Sequence, residues 1–317
     1  MQAKIFSRRS VLSVIASGAA VCATGEPGRT DAGQAVRVPW SSGVEPPRRK
    51  APVYATDCHH HIYDGRFPTD SKAVLRPAPA TVADYRLLQK RLGTTRSVVV
   101  QPSTYGVDNR CLIDALHQLG LSSARGVAVV DNHVSDAQLN ELNAAGVRGI
   151  RFNLLQAGAT TLDMLEPLSK RITPLGWHVQ VNASSEQIAA ASSLWDRLPC
   201  PVVFDHFGHT LLLGREDPAF RVIVKRLHTG QGWLKLSGAY IDSKVGPPDY
   251  PESTAVAKAY LAEAPEQLLW GTDWPHPTAQ DKPDDAVLFD LFDRWVHDTA
   301  TQHRILVDNP AKLYGFR

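Results

Sequence analysis

The sequence lacks features that define several classes of protein. It has no Cys-x-x-Cys pair, so a zinc site built from thiolates is disfavoured. It has no Gly-x-Gly-x-x-Gly and no Gly-x₄-Gly-Lys-Ser/Thr segment, so the usual nucleotide-binding loops are missing. Four of the 317 residues are cysteine, and Cys22 lies near the N-terminus. Because Cys58, Cys111 and Cys200 are widely spaced in apolar surroundings, we expect buried side chains rather than a disulfide framework.

An excess of charge of one sign is also lacking. The 34 basic and 32 acidic side chains leave a formal net charge of +2. Residues 1–50 hold eight of the basic and three of the acidic groups, so the rest of the chain has a small negative excess. A nucleic-acid-binding domain has a basic patch or a pI above about 9, and we expect no nucleic-acid partner. A hydrophobic content of 43% is typical of a globular chain with a full core.

No apolar run is long enough to span a bilayer, which needs about 20 residues. The longest candidate, residues 11–23, follows Ser7-Arg8-Arg9-Ser10 and ends in small residues. This order predicts a signal peptide over residues 1–23, and the paired arginines indicate the twin-arginine type. We therefore expect export to the periplasm and no stable membrane anchor; if the arginine pair is a chance occurrence, the protein stays in the cytoplasm. Residues 24–51, rich in Gly, Pro and Arg, are interpreted as a linker before a catalytic domain over 52–317.

Short apolar runs alternate with amphipathic segments along residues 52–317. Alternation of strands with helices predicts a parallel sheet, and eight such units fit a (β/α)₈ TIM barrel of the α/β class, which typically takes about 250 residues. An open doubly wound sheet is the alternative. The predicted strands are 54–63, 97–103, 126–131, 146–153, 177–183, 201–206, 232–240 and 267–273, and the predicted helices are 82–92, 111–119, 136–145, 162–175, 186–198, 218–227, 254–264 and 286–299, with a short tail after the last.

Ionisable groups gather at the predicted carboxyl ends of the strands, where TIM barrels have their active sites. Because strand side chains alternate, Asp57, His59 and His61 are predicted to share one face, with Cys58 and His60 on the other. His206 and Asp273 end strands six and eight and can join them. Three histidines and a carboxylate can bind one Zn²⁺. Without metal, the imidazoles can polarise a carbonyl while the carboxylate takes a proton from water, and both readings stay open.

Other polar residues near the strand ends are candidates for substrate contacts. Ser103 and Tyr105 follow strand two, and Asn153 ends strand four. Arg221 lies on the helix after strand six, and His276 follows Asp273 in a proline-flanked turn. Each of these side chains could also cap a loop or face solvent, because the same residue types serve those purposes.

Six segments together resemble the amidohydrolase-related TIM-barrel family that contains lactonases and a lactone isomerase. The resemblance implies cleavage of an anionic lactone, with Asp273 as the base that activates water and His59, His61 and His206 stabilising the carbonyl oxygen. It further implies that Arg151 holds a substrate carboxylate. The segments, in order over about residues 52–317, are DCHHHIYD at 57–64, VQPS at 100–103, GIRFN at 149–153, GWHV at 176–179, FDH at 204–206 and WGTDWPHP at 270–277.

Departures from the family pattern restrict the metal content and the substrate that we expect. Two-metal relatives carry a lysine or glutamate after strand four and a histidine at the end of strand five, where this chain has Arg151, Asn153 and Asn182, so we expect one Zn²⁺ or none. Relatives that open 2-pyrone-4,6-dicarboxylate have an arginine and a tyrosine where this chain has Ala157 and Asn182.

We therefore expect a monomeric or weakly associated hydrolase that converts 4-sulfomuconolactone to maleylacetate and sulfite. Alternatives are a 2-pyrone-4,6-dicarboxylate or sugar-acid lactonase, a lactone isomerase and a decarboxylase of the same superfamily. A protein that captures an organic acid without turnover is a further alternative, although a pure binding protein needs no general base.

Overall fold

A computed structural model describes residues 37–156 and 158–317, so the predicted leader, the first part of the predicted linker and Ala157 lie outside the described residues. Within the described ranges, eight parallel strands form one sheet in which each strand pairs with its neighbours in sequence. This arrangement confirms the predicted barrel and excludes the doubly wound alternative, in which the strand order would change. The strands are β1 Thr56–His60, β2 Arg96–Val100, β3 Ala124–Ala128, β4 Val147–Asn153, β5 His178–Asn182, β6 Val202–Phe204, β7 Gly232–Leu236 and β8 Leu268–Trp270.

The barrel is closed by the residues that follow β8. The backbone N–H of Asp273 donates to the carbonyl of His59 at 2.8 Å, and that of His61 donates to Trp274, also at 2.8 Å. A parallel bridge joins His60 to Trp274. These bonds join the carboxyl end of β1 directly to the segment that carries Asp273, so the predicted catalytic residues meet at the seam of the barrel.

Helices cover the outside of the sheet. Three of them begin with a capping box, in which Thr81, Ser135 and Ser184 each accept a hydrogen bond from the third helical backbone N–H. The helices are α1 Val82–Leu92, α2 Arg110–Leu119, α3 Asp136–Ala144, α4 Leu165–Ile172, α5 Ser185–Ala190, α6 Ser192–Arg197, α7 Pro218–His228, α8 Pro251–Glu263, α9 Asp285–Trp295, α10 Thr299–His303 and α11 Asn309–Tyr314, with a π-helical turn over Arg304–Asp308.

Three predictions about elements were wrong in detail. The predicted helix over 186–198 is two helices, α5 and α6, because the chain leaves helical geometry at Ala191. The predicted tail after residue 299 is helical, and its Tyr314 and Phe316 pack against apolar side chains inside the barrel. Most strands are shorter than the apolar runs because the ends of those runs continue into loops.

The prediction of buried cysteines is confirmed for Cys58, Cys111 and Cys200, which are free thiols with at most 2% exposure.

The distribution of side chains between the two faces of β1 also differs from the prediction. The register of β1 against β2 shifts between Asp57 and His60. As a result, Asp57 and His60 both contact Tyr85 of α1, while Cys58 packs among apolar side chains inside the barrel. A bulge adds one residue to the alternation, so Asp57 does not share a face with His59.

Residues 37–51, which the sequence assigns to the linker, pack as part of the barrel unit. Val38 is fully buried, and the carbonyl of Pro39 accepts a hydrogen bond of 2.8 Å from the Trp274 indole. Arg91 of α1 donates to the Ser42 carbonyl and to the Asp284 carboxylate. The domain boundary predicted at residue 52 is therefore too late. Across the described part of the chain, no helix is both long and apolar enough to cross a membrane.

Candidate active site

The carboxyl ends of β1, β6 and β8 bring four predicted catalytic side chains together. Nε2 of His59 lies 3.4 Å from Nε2 of His61, and each of these atoms lies 3.5 Å from Oδ1 of Asp273. Nε2 of His206 lies 3.9 Å from the same oxygen. All four residues are at most 4% exposed. The cluster therefore places three imidazole nitrogens around one carboxylate oxygen.

Backbone geometry at the strand ends aims these side chains inward. His206 and Asp273 have positive φ angles, 50° and 63°, which are uncommon for residues other than glycine. Asp57 holds the turn before Asp273, because its carboxylate accepts hydrogen bonds from the backbone N–H and the hydroxyl of Thr272. Strained backbone of this kind persists only where surrounding contacts enforce it, and it concentrates at functional sites.

Each histidine has a partner for its other ring nitrogen. Nδ1 of His61 lies 2.8 Å from the Val100 carbonyl and therefore donates to it. Nδ1 of His206 lies 3.0 Å from the Ser237 hydroxyl, and Nδ1 of His59 lies 3.3 Å from Oδ1 of Asp205. The bond to Val100 leaves the Nε2 lone pair of His61 free, which is the arrangement of metal-bound histidines, and the hydroxyl and carboxylate beside His206 and His59 permit the same tautomer there. Ligand atoms of His59, His206 and Asp273 all lie within 4.8 Å of one another, and Nε2 of His61 lies beside those of His59 and Asp273. Imidazole nitrogens and a carboxylate oxygen are ligands that Zn²⁺ takes, so these residues could hold one ion.

A second cation has no fitting place beside the first. Asp205, the acid nearest to His59, is already opposed by Lys235, whose Nζ lies 3.6 Å away, and by Nε of Arg151, 3.5 Å away. Lys235 is fully buried on β7 and donates to Oε1 of Gln180 at 2.7 Å. The two positive charges beside Asp205 would repel another cation there. The expectation that a two-metal site is absent therefore has a physical basis in the described residues.

Sequence reasoning missed Lys235, although a signal was present. The segment Gly232–Leu236 reads GWLKL, with a lysine between two leucines in a strand. Alternation places Lys235 on the same inward face as Ser237, which contacts His206. A lysine at an inward position of a buried strand needs a counter-charge, and Asp205 at the end of the neighbouring strand supplies it.

Burial and charge set the ionisation of the cluster. Burial lowers the pKa of His59 well below its ordinary value, and it also lowers the pKa of His206. Burial alone would raise the pKa of Asp273, but the facing imidazoles of His206, His61 and His59 hold it far below the usual range. The site therefore combines neutral imidazoles at His59 and His206 with an ionised carboxylate at Asp273, the protonation states that metal binding and base catalysis both require.

A cavity opens above the cluster and contains predicted substrate-binding residues. A chain of hydrogen bonds runs along its wall, from His209 to Asn182 at 2.9 Å, from Asn182 to Asn153 at 3.1 Å and from Asn153 to the Ser103 hydroxyl at 2.9 Å. Asn153 and Asn182 are opposite each other in the register of β4 and β5, which explains their contact. The polar lining comprises His61, Tyr63, Ser103, Arg151, Asn153, Gln156, Asn182, His206, His209, Asp273 and Thr278.

Three other predicted substrate-binding residues do not line this cavity. The Tyr105 hydroxyl is bonded to the backbone of Asp64. His276 is fully buried between Tyr240 and Asp285. Arg221 is exposed, because α7 packs through the opposite face that carries Phe220 and Ile223. Neither His209 nor Tyr240 was identified from the sequence, where nothing distinguishes them from ordinary loop residues.

Comparison with known proteins places this geometry in a family. The amidohydrolase family matches residues 56–316. A 2-pyrone-4,6-dicarboxylate hydrolase of Comamonas testosteroni is 35% identical over 87% of this chain and 94% of its own length. A 4-sulfomuconolactone hydrolase of Rhizobium radiobacter is 32% identical over 85% of this chain and 95% of its own.

A solved structure shows the same fold. It is a probable 2-pyrone-4,6-dicarboxylic acid hydrolase of Acinetobacter baumannii with citric acid bound, 27% identical. It superposes with a TM-score of 0.74 and covers 83% of this chain and all of its own. Since both the sequence match and the barrel extend over nearly the whole described chain, the protein belongs to the amidohydrolase family.

Proposed function

We propose that this protein is a lactonase that opens an anionic lactone by adding water to its carbonyl. The observation that carries the proposal is the position of Asp273. Its Oδ1 faces the Nε2 atoms of three buried histidines in a cavity that also contains Arg151. A base, a set of groups that can stabilise an oxyanion and a cation for the substrate carboxylate are then within one site. Lactone hydrolysis needs these three functions together.

The chain's residues divide the reaction between them. Asp273 takes a proton from water as the water oxygen bonds to the lactone carbonyl carbon. His61 and His206 line the cavity, and their Nε2 atoms would help hold a cation that stabilises the negative charge developing on the carbonyl oxygen. The bond between the carbonyl carbon and the ring oxygen then breaks, and the proton held by Asp273 passes to the departing oxygen. A Zn²⁺ bound at the cluster would supply Lewis-acid polarisation and lower the pKa of water.

Arg151 is the group that supports binding of an anion. It is 5% exposed and lines the cavity, and its guanidinium can bind a carboxylate through two parallel hydrogen bonds. The structurally similar hydrolase of Acinetobacter baumannii contains citric acid, which is itself a carboxylate compound. Ser103 and Asn153 are joined by a hydrogen bond in the same cavity and can donate to further oxygens of the substrate.

Within this class, we propose 4-sulfomuconolactone as the substrate. Its ring oxygen leaves on the carbon that bears the sulfonate, so the C–S bond then breaks as this C–O bond becomes a ketone, and the products are maleylacetate and sulfite. The 32% identical hydrolase of Rhizobium radiobacter acts on that compound according to its name. At residue 182 this chain has an asparagine whose amide is bonded to Asn153 and His209. Because the Asn182 amide is neutral and already hydrogen-bonded, it favours a substrate other than 2-pyrone-4,6-dicarboxylate. A panel of 4-sulfomuconolactone, 2-pyrone-4,6-dicarboxylate and sugar-acid lactones, compared by kcat/KM, tests this choice.

The role of Asp273 is tested by Asp273→Asn, which keeps the shape and removes the base. We expect kcat to fall by about 10²–10⁴-fold while the unfolding transition is unchanged. Asp131→Asn is the matched control, because Asp131 lies at the end of the β3 unit and outside the cavity. Metal content and activity before and after treatment with a chelator show whether turnover depends on a bound ion. Full activity of Asp273→Asn would remove this residue from the proposed role.

A further inference from the structure

The two oxygens of Asp273 face different surroundings. Oδ1 faces the histidine cluster. Oδ2 points the other way and accepts a hydrogen bond of 2.6 Å from the hydroxyl of Tyr240, which lies in the loop after β7. A hydrogen bond to an ionised oxygen is strong and directional. Tyr240 therefore determines which oxygen of Asp273 is free to face the reacting atoms.

The position of Tyr240 is in turn supported by His276 and, beyond it, by Asp285. Nδ1 of His276 lies 3.2 Å from the Tyr240 hydroxyl, and the two rings meet edge to face at 5.2 Å. Nε2 of His276 lies 3.1 Å from Oδ2 of Asp285, the first residue of α9. His276 and Asp285 are both fully buried. The backbone N–H of Asp285 donates to the hydroxyl of Ser41, so the N-terminal segment supports the far end of this series of contacts.

Counting protons assigns the direction of these contacts. The Tyr240 hydroxyl has one proton, and the 2.6 Å contact directs it to Asp273. In the 3.2 Å contact the Tyr240 oxygen can then only accept, so Nδ1 of His276 is the donor. The Tyr240 contact requires a proton on Nδ1 of His276 whichever of Nε2 and Asp285 holds the proton of their 3.1 Å contact, so the Nδ1 proton is a specific and measurable consequence of the arrangement.

We propose that Tyr240, His276 and Asp285 are positioning residues that hold Asp273 in the orientation needed for base catalysis. The proposal rests on the proposed function of Asp273 and extends it to residues outside the cavity, because neither His276 nor Asp285 lines it. Loss of the Tyr240 hydroxyl leaves Oδ2 without this donor and lets the carboxylate rotate. The substrate-binding groups Arg151, Asn153 and Ser103 are not part of the series, so substrate affinity is unaffected.

The kinetic test compares Tyr240→Phe with wild type on the best lactone of the panel. We expect kcat to fall by about 10–100-fold, as is typical when an orienting partner of a functional ligand is removed, with KM nearly unchanged. Tyr250→Phe is the matched control, because Tyr250 is a buried tyrosine at the start of α8 that does not contact Asp273. In the double variant Tyr240→Phe/His276→Gln the losses should not multiply, since both changes interrupt the same series. Unchanged kcat in Tyr240→Phe, or an equal loss in Tyr250→Phe, overturns the proposal.

A second readout does not depend on turnover. In the full chain labelled with ¹⁵N-histidine, NMR should show a protonated Nδ1 on His276, identified by its absence in His276→Gln, and Tyr240→Phe should shift this signal. If wild type opens no lactone, the proposed function fails, and the NMR result alone decides the positioning series. An unprotonated Nδ1 overturns the series even where lactone hydrolysis is found.

Discussion

At the residue scale, the buried cluster contains groups whose protonation differs from that in water. A histidine ordinarily titrates near pH 6.5, but burial lowers the pKa of His59 and His206 below that value. The pKa of Asp273 is also lowered, because neighbouring imidazoles outweigh the effect of burial. Both shifts act in the same direction on activity, since neutral imidazoles at His59 and His206 and an ionised Asp273 persist as the pH falls.

These shifts predict an unusual pH profile. The lowered pKa of Asp273 keeps the base ionised until the pH falls through the lowered value, and the lowered pKa values of His59 and His206 keep those two imidazoles neutral below the ordinary histidine range. We therefore expect kcat/KM for the best lactone to be constant from about pH 9 down to about pH 6, instead of declining near the ordinary histidine pKa. Initial rates in buffers of constant ionic strength measure this. An acidic limb centred near pH 6.5 would contradict it.

Arg151 should determine affinity more than turnover. Arg151→Gln removes the cation that faces a substrate carboxylate, and we expect KM to rise by about tenfold or more, equivalent to about 1.4 kcal/mol or more. Arg151→Lys should recover part of the loss, because an ammonium supplies the charge without the bidentate geometry. Arg221→Gln is the control, since Arg221 is exposed on α7. Equal KM values for wild type and Arg151→Gln would place the anion elsewhere.

At the element scale, the site depends on the close contact between β1 and the residues after β8. A Cβ at Gly271 would lie 2.7 Å from both the backbone nitrogen and the Cβ of His59, closer than real contacts allow. The obstacle is largely backbone, so it cannot rotate away as a flexible side chain could. The absence of a side chain at residue 271 is thus a condition for placing His59 and Asp273 side by side.

Gly271→Ala should therefore disturb both stability and activity. We expect a loss of about 1–3 kcal/mol in the free energy of unfolding, the usual effect of overpacking, together with reduced kcat because His59 is displaced. Urea unfolding and steady-state kinetics measure the two effects. Gly65→Ala is the matched control, because a Cβ there meets only Pro79 at 3.9 Å. If Gly271→Ala behaves like Gly65→Ala, the contact is looser than the structure indicates.

Prediction from sequence worked best for elements with strong local signals. Helix α1 was predicted at its observed bounds, because the apolar period runs between Thr81 at its N-cap and Gly93 at its C-cap, which has φ 85°. The split between α5 and α6 was missed because the apolar pattern continues through Ala191. The bulge in β1 was missed because it is imposed by pairing with β2, and pairing is a contact between segments distant in sequence.

At the scale of the whole molecule, the segment before β1 contributes to the fold and supports the site. Val38 is buried, Pro39 accepts from the Trp274 indole, and Ser41 accepts from the backbone of Asp285. Trp274 and Asp285 belong to the region that carries Asp273 and its supporting contacts. Removing this segment exposes apolar surface and leaves buried polar groups without partners.

A chain that starts at residue 52 should therefore be less stable than one that starts at residue 37. We expect a difference of about 2–5 kcal/mol in the free energy of unfolding, from lost burial and unsatisfied hydrogen bonds. Denaturant unfolding of the two chains under the same conditions measures it. Equal midpoints would mean that residues 37–51 act only as a tether.

The sequence by itself determined the family of the fold and which ionisable side chains meet at the carboxyl ends of the strands. Strand and helix periods are local, and ionisable residues at successive strand ends meet in a barrel, so His59, His61, His206 and Asp273 could be named in advance. Only the tertiary structure decided which acids and cations are paired, that Lys235 faces Asp205 and that Tyr240 holds Asp273 from behind. These contacts join residues far apart in the chain, and the energetics of a buried polar group depend on what surrounds it in space.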